Sequence, residues 1–164
     1  MVASVIRRAV AEDLETLWEF LAMAAYEPDA AAAKAVPMIG MFLDGWPRPG
    51  DFGFIAERDG LAIGAVWARQ FSSREESWFY IDERTPEISI GVKQVARGQG
   101  VGEMLLRSLI AEATRRGLGL CLNVRSTNPA RRLYERVGFR VVPEMTVRNR
   151  VGGQSFGMVL GTQP

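Results

Sequence analysis

The sequence has no histidine and a single cysteine, Cys121, among 164 residues. The missing histidine excludes Ser-His-Asp and Cys-His nucleophile systems and nearly all zinc sites. No metal site is expected, and the chemistry must use carboxylates, tyrosine, lysine or backbone dipoles. One cysteine and no signal segment point to a reducing, cytoplasmic compartment. A charge excess is also missing: 20 basic against 19 acidic residues leave a net charge of +1. Such a balance offers no overall field to nucleic acid or to an anionic membrane. No apolar run approaches the roughly 18 residues of a membrane span. Arg7 and Arg8 have no apolar segment behind them, so no signal peptide is expected. What is present suffices for a core: 48% of residues are hydrophobic. The length suits one domain, 1–164, with no repeat or linker to divide it.

Periodicity predicts a mixed α/β chain. Val2–Arg7 reads as a strand. Leu14, Leu17, Trp18, Leu21 and Ala25 share one face of a helix over Ala11–Tyr26. Asp29 can cap an alanine-rich helix reaching about Leu43, which Pro37 must bend or split. Phe52–Glu57 and Leu61–Arg69 alternate as strands around a tight Arg58-Asp-Gly60 turn. Gln70–Ser77 reads as a polar loop, and Trp78–Ile81 as an aromatic, extended segment. Strand Glu87–Val92, helix Val101–Arg116, strand Leu118–Val124, helix Pro129–Val137 and a strand from Phe139 follow. One more hairpin strand is expected around Ser155–Leu160. The strand–helix–strand unit Glu87–Val124 requires locally parallel strands and a right-handed crossover.

The most informative stretch is Val92-Lys-Gln-Val-Ala-Arg-Gly-Gln-Gly-Val-Gly102. A strand that feeds a glycine-rich turn at a helix start builds an anion site. The glycines admit a ligand close to the backbone, and the first helical N–H groups have no internal partner. A phosphate-bearing ligand is therefore expected. A mononucleotide loop needs Lys-Ser/Thr after its last glycine, whereas Glu103 stands there. A dinucleotide fingerprint needs a third glycine where Glu103 sits and an acid ending the next strand, which instead runs into Arg125.

Arg97-Gly98-Gln99-Gly100-Val101-Gly102 resembles the Arg/Gln-x-x-Gly-x-Gly/Ala loop of the GNAT superfamily of N-acetyltransferases. Glu87-Ile-Ser-Ile-Gly-Val92 is similar to the family's fourth strand. Asn128-Pro-Ala-Arg-Arg-Leu-Tyr-Glu-Arg-Val-Gly-Phe139 resembles its second signature, one strand–helix unit downstream. The resemblance is specific over about Pro86–Arg140. It implies a six- or seven-stranded sheet flanked by helices, with strands 4 and 5 parallel and splayed around a pantetheine arm. It also implies acetyl-CoA as cofactor, cradled by Arg97, Gly98, Gln99, Gly100, Val101 and Gly102. Further contacts fall to Asn128 and Arg131. Backbone at Ile90, Gly91 and Val92 would aim a dipole at the thioester, helped by a kink at Gly91, unless that glycine only serves packing. Glu87 is the expected base, with Asp82 and Glu83 as rivals. Tyr134 is the expected acid, and Asn128 can equally cap the helix after it. Cys121, mid-strand with no histidine to activate it, reads as core, so direct attack in a ternary complex is expected.

The acceptor is open. Trp46, Phe71, Trp78, Phe79 and Tyr80 could wall a cleft for an amine or simply form core. Arg69, Arg74 and Arg84 could hold an acceptor carboxylate. A small amine, an amino acid or a peptide N-terminus all fit, and a homodimer is compatible with the family. A non-catalytic acyl-CoA sensor needs only the loop, not Glu87 and Tyr134. A toxin acetylating aminoacyl-tRNA would need a basic face, which the charge balance argues against.

Overall fold

A computed structural model describes residues 2–161. Its strands are β1 (Val5–Arg8), β2 (Phe52–Arg58), β3 (Leu61–Arg69), β4 (Glu87–Val92), β5 (Leu120–Arg125), β6 (Arg140–Arg148) and β7 (Gln154–Leu160). Its helices are α1 (Leu14–Ala24), α2 (Ala30–Lys34), α3 (Pro37–Gly40), α4 (Val101–Arg115) and α5 (Arg131–Arg136). The seven-stranded sheet has the order β1-β2-β3-β4-β5-β7-β6. β4 and β5 are parallel, with Glu87 opposite Cys121, as a strand–helix–strand connection demands. The chain forms two compact units, one of residues up to Arg69 with Ser89–Leu109, the other of Gln70–Ile88 with residues from Ile110 onward. β4 serves both, giving Glu87 and Ile88 to the second and Ser89–Val92 to the first.

The first unit is built on a hairpin and three helices. Asp59 and Gly60 both take left-handed φ, 53° and 75°. Two such residues match the right-handed twist of a two-residue hairpin loop, and Arg58 pairs with Leu61 across it. Leu17, Trp18, Phe20 and Leu21 of α1 are buried in one cluster with Ile39, Leu43, Trp46, Ile55, Ala65 and Trp67. Each fully buried large side chain contributes about 1.5–3 kcal/mol. Pro37 splits the alanine-rich segment as expected: α2 ends at Lys34, and Pro37 opens α3. Proline fits that first position because its missing N–H has no helical acceptor there. Asp29 caps α2 by accepting the Ala32 N–H at 2.8 Å. On the other face of β3, a Cβ at Gly64 would stand 3.0 Å from Leu105 and 3.4 Å from Val101 of α4. That closeness favours glycine where the helix crosses the strand. Helices thus cover both faces here.

In the second unit β5, β7 and β6 are antiparallel, with β7 in the middle. The register of β6 shifts between Val142 and Thr146, where Pro143 cannot donate to a ladder. The expected extended segment Trp78–Ile81 begins as a turn at Trp78 and Phe79, shortly after Glu76 takes a left-handed φ of 56°. The expected polar loop Gln70–Ser77 contains one 3-10 turn, Ser73–Glu75, held by the Ser72 N–H donating to Glu75 Oε2 at 2.6 Å. The expected 1–164 domain has its first residue and last three outside the described residues.

Candidate active site

The glycine loop lies in the first unit. After β4 the chain makes a 3-10 turn over Gln94–Ala96. It then passes Gly98 and Gly100 at left-handed φ of 73° and 82° before entering α4. A side chain would be strained at either position. No atom comes within 4 Å of a Cβ built at Gly98 or Gly100, so both face open space. Among the described residues, the N–H groups of Gly98, Gly100, Val101 and Gly102 find no protein acceptor. Met104 N–H is bonded to Gly100 O at 3.0 Å, which starts the helical ladder. Two side chains brace the loop from behind: Arg97 Nε donates to Val92 O at 3.0 Å, and Gln99 Nε2 to Val95 O at 2.9 Å. Arg97 and Gln99 remain exposed. A run of unpaired amides at the N-terminus of a fifteen-residue helix fits a diphosphate.

Upstream, Ile90 and Val92 are half-buried in β4. Gly91 answers a packing need: a Cβ there would lie 2.8 Å from Phe20 O of α1. Its φ is not left-handed, so it owes its place to this close approach.

The second unit holds the remaining candidates. Glu87 is only 2% exposed. Ser77 Oγ donates to its Oε2 at 2.6 Å, and Asn123 Nδ2 to its Oε1 at 3.1 Å. Among the described residues no cation bonds to it. Burial therefore pushes its pKa above the ordinary carboxylate range, and the two hydrogen bonds only partly oppose this. The rivals sit elsewhere. Asp82 is exposed and spends Oδ1 on the Arg84 N–H and the Thr85 hydroxyl, both at 2.8 Å. Glu83 is exposed. Glu87 is thus the buried, chemically unusual acid of the three. Ser77 and Asn123 escaped the sequence reading. The available signal was an asparagine amid Leu120-Cys-Leu-Asn-Val124; Ser77, in a polar loop, gave none.

Tyr134 lies in α5, buried, its ring edge-on to Phe139 at 6.2 Å. Asn128 closes the turn before α5, with Oδ1 accepting the Ala130 N–H at 2.9 Å; the helix's own N-cap, Ala130, has no side-chain cap. Arg131 pairs with Glu135 at 2.9 Å and lies over the Phe156 ring at 5.4 Å. Cys121 is buried, its thiol pushed up by burial first and by Glu87 and Asp82 next, which removes it as a nucleophile. Of the aromatic candidates, Trp46, Phe71 and Phe79 are core, while Trp78 is 53% exposed. Arg69 is corrected outright. It is wholly buried and saturated by Asp51 at 2.7 and 3.2 Å and by the carbonyls of Met41 and Asp44, so no acceptor can reach it. Arg84 spends Nη2 on Gly117 O at 2.7 Å.

A glycine loop of open amides opening a helix, on a mixed sheet with parallel β4 and β5, is the frame of an acetyltransferase. Residues 9–139 match the model of the Acetyltransferase (GNAT) family, and the chain belongs to that family. It is 26% identical over 154 residues, 94% of this chain and 96% of the other, to the 5-NmdU N-acetyltransferase of Pseudomonas phage PaMx11. Among solved structures it resembles the ribosomal-protein-alanine N-acetyltransferase of Brucella melitensis, with a TM-score of 0.70, 26% identity and coverage of 94% and 98%. It also shares its fold with the phosphinothricin acetyltransferase of Sinorhizobium meliloti in complex with acetyl-CoA, at TM-score 0.66, 24% identity and coverage of 98% and 92%. No described helix is long and apolar enough to cross a membrane.

Proposed function

We propose that this protein transfers an acetyl group from acetyl-CoA to a primary amine by direct attack in a ternary complex, the chain working as one catalytic domain. The observation that carries the reading is the run of unpaired amides at Gly98, Gly100, Val101 and Gly102, with open space beside Gly98 and Gly100. Those amides, with the helix dipole of α4, would hold the diphosphate; Arg97 adds charge beside them. Asn128 and Arg131 are assigned to the rest of the cofactor, and the backbone of Ile90, Gly91 and Val92 to the acetyl carbonyl. When bound, acetyl-CoA supplies the acetyl group as an activated thioester.

Glu87 takes the proton that an ammonium acceptor must lose before it can attack. Its raised pKa suits this role, because a base works best when its own pKa approaches the working pH. Tyr134 holds a phenolic proton for the leaving sulfur. A sensor would have no use for a buried carboxylate without a cation, and this favours an enzyme over a binding module of the same fold. The acceptor is a small molecule, an amino acid or a peptide amine. The substrates named by the relatives, 5-NmdU, a ribosomal-protein alanine and phosphinothricin, form the first panel.

Isothermal titration with acetyl-CoA should show micromolar binding that Gly100→Glu abolishes, since a carboxylate would then stand among the amides at a φ that resists any side chain. Absence of heat from the unsubstituted protein would end the cofactor assignment. Thiol release with at least one amine of the panel, widened to other primary amines, is expected. Tight cofactor binding without release from any amine would return the sensor reading.

A further inference from the structure

We propose that Ser77 is the proton gate of Glu87: its hydroxyl is the group through which the buried carboxylate exchanges protons with the acceptor side. The inference rests on the reading of Glu87 as base and adds a residue to it. Glu87 is 2% exposed, so a proton cannot reach it from bulk water directly. Two side chains close over its oxygens. Asn123 is itself exposed and donates an amide N–H to Oε1 at 3.1 Å. An amide donates but has no exchangeable acceptor at that nitrogen, so it can hold a carboxylate without passing a proton. Ser77 is half-buried and donates its hydroxyl to Oε2 at 2.6 Å. A hydroxyl keeps two lone pairs while it donates. It can therefore accept a proton from outside as it delivers its own.

The step balances. The Oγ–H bond of Ser77 breaks toward Glu87 Oε2, and a new Oγ–H bond forms with a proton from an ammonium or from a water it has protonated. The serine ends unchanged, the carboxylate ends as a carboxylic acid, and the amine lone pair is freed for attack. Opposite Glu87 on β5 is the Cys121 thiol, which feels both Glu87 and Asp82 of the preceding loop. The thiol is bonded toward the carbonyls of Phe79 and Thr85 at 3.5 and 3.6 Å. Asp82 is engaged by Arg84 and Thr85. Neither bonds to Glu87.

The test compares Ser77→Ala, Ser77→Thr, Asn123→Ala and Glu87→Gln. Turnover uses acetyl-CoA with whichever panel amine reacts fastest; carboxyl-carbon NMR titration of Glu87 needs no acceptor. Ser77→Ala should lower the plateau kcat about tenfold or more, leave acetyl-CoA affinity unchanged and raise the Glu87 titration midpoint. Ser77→Thr, which keeps a hydroxyl, should recover most of both. Asn123→Ala should raise the midpoint yet spare the plateau. An unmoved midpoint in Ser77→Ala, a plateau equal to wild type, or a threonine variant as slow as alanine overturns the gate. If Glu87→Gln turns over normally, the base assignment itself falls and the gate with it. An inactive Glu87→Gln beside a fully active Ser77→Ala removes the gate alone.

Discussion

Two of the protein's buried carboxylates, Asp51 in one compact unit and Glu87 in the other, are treated in opposite ways. Asp51 and its partner Arg69 are both fully buried. Asp51 receives two guanidinium bonds and the Arg48 N–H at 2.9 Å, while Arg69 also satisfies two carbonyls of the Met41–Asp44 turn. The negative charge is matched on the spot, and the pair ties the segment after α3 to the end of β3. Glu87 is as deeply buried but has only a hydroxyl and an amide for company. Its charge is tolerated, not neutralised, and burial raises its pKa. A buried acid with a cation is architecture; one with neutral donors alone is able to change its charge. The pair thus tells the catalytic candidate from the structural one without reference to sequence motifs.

The sharpest way to break this contrast is to remove one charge from each site. Glu87→Gln should cut turnover by about 10²–10⁴-fold while thermal stability holds or rises slightly. A large loss of melting temperature would show that Glu87 is architecture after all. Arg69→Met should do the reverse. It leaves Asp51 buried and unpaired, at a cost of about 3–5 kcal/mol in urea denaturation, and Arg69→Met with Asp51→Leu should regain much of that. A single variant as stable as wild type would contradict the structural role.

Tyr134→Phe should reduce kcat about tenfold or more without changing acetyl-CoA affinity; equal kcat would remove Tyr134 as the acid. The acidic limb of kcat/KM should lie above the ordinary glutamate value of about 4.3 and vanish in Glu87→Gln, as a pH–rate series would reveal.

The smallest effect compares stability with pH. Asp13 is held below its ordinary value chiefly by the hydrogen bonds of Arg7, which lie at 2.8 and 2.9 Å. Its contribution is present above the unfolded carboxylate pKa and is lost as pH falls through the depressed folded one. Glu87 runs oppositely: ionising it costs stability, so the cost grows as pH rises from the unfolded value toward the raised folded one. Urea midpoints from pH 3 upward should therefore flatten at the acid end for Asp13→Asn, and at higher pH for Glu87→Gln. The Asp13 change will be modest because Arg7 is partly exposed.

Local chemistry made much of this legible in advance. β4 falls at Glu87–Val92 and α4 within one residue of its expected end, because alternation, an open glycine turn and an amphipathic face all agree there. Asp29 and Pro37 marked their helix starts for local reasons. What stayed hidden depends on contacts distant in sequence. Arg69 looked available to an acceptor carboxylate because its partner is 18 residues away. Ser77 and Asn123 meet Glu87 across 10 and 36 residues. Gly91 was ambiguous because its reason is a carbonyl of α1. The aromatic run Trp78–Ile81 read as extended because a residue-by-residue reading does not see the left-handed Glu76 before it.

β7 follows β6 in the chain but sits between β5 and β6. During synthesis, neither outer neighbour can complete its ladder until Gln154–Leu160 has left the ribosome. Up to that moment β5 and the strand interrupted at Pro143 each offer an unsatisfied backbone edge to any extended segment nearby. The most vulnerable nascent intermediate is thus the one lacking a single seven-residue wedge, and early termination just before Gln154 should yield aggregates rather than a smaller folded protein.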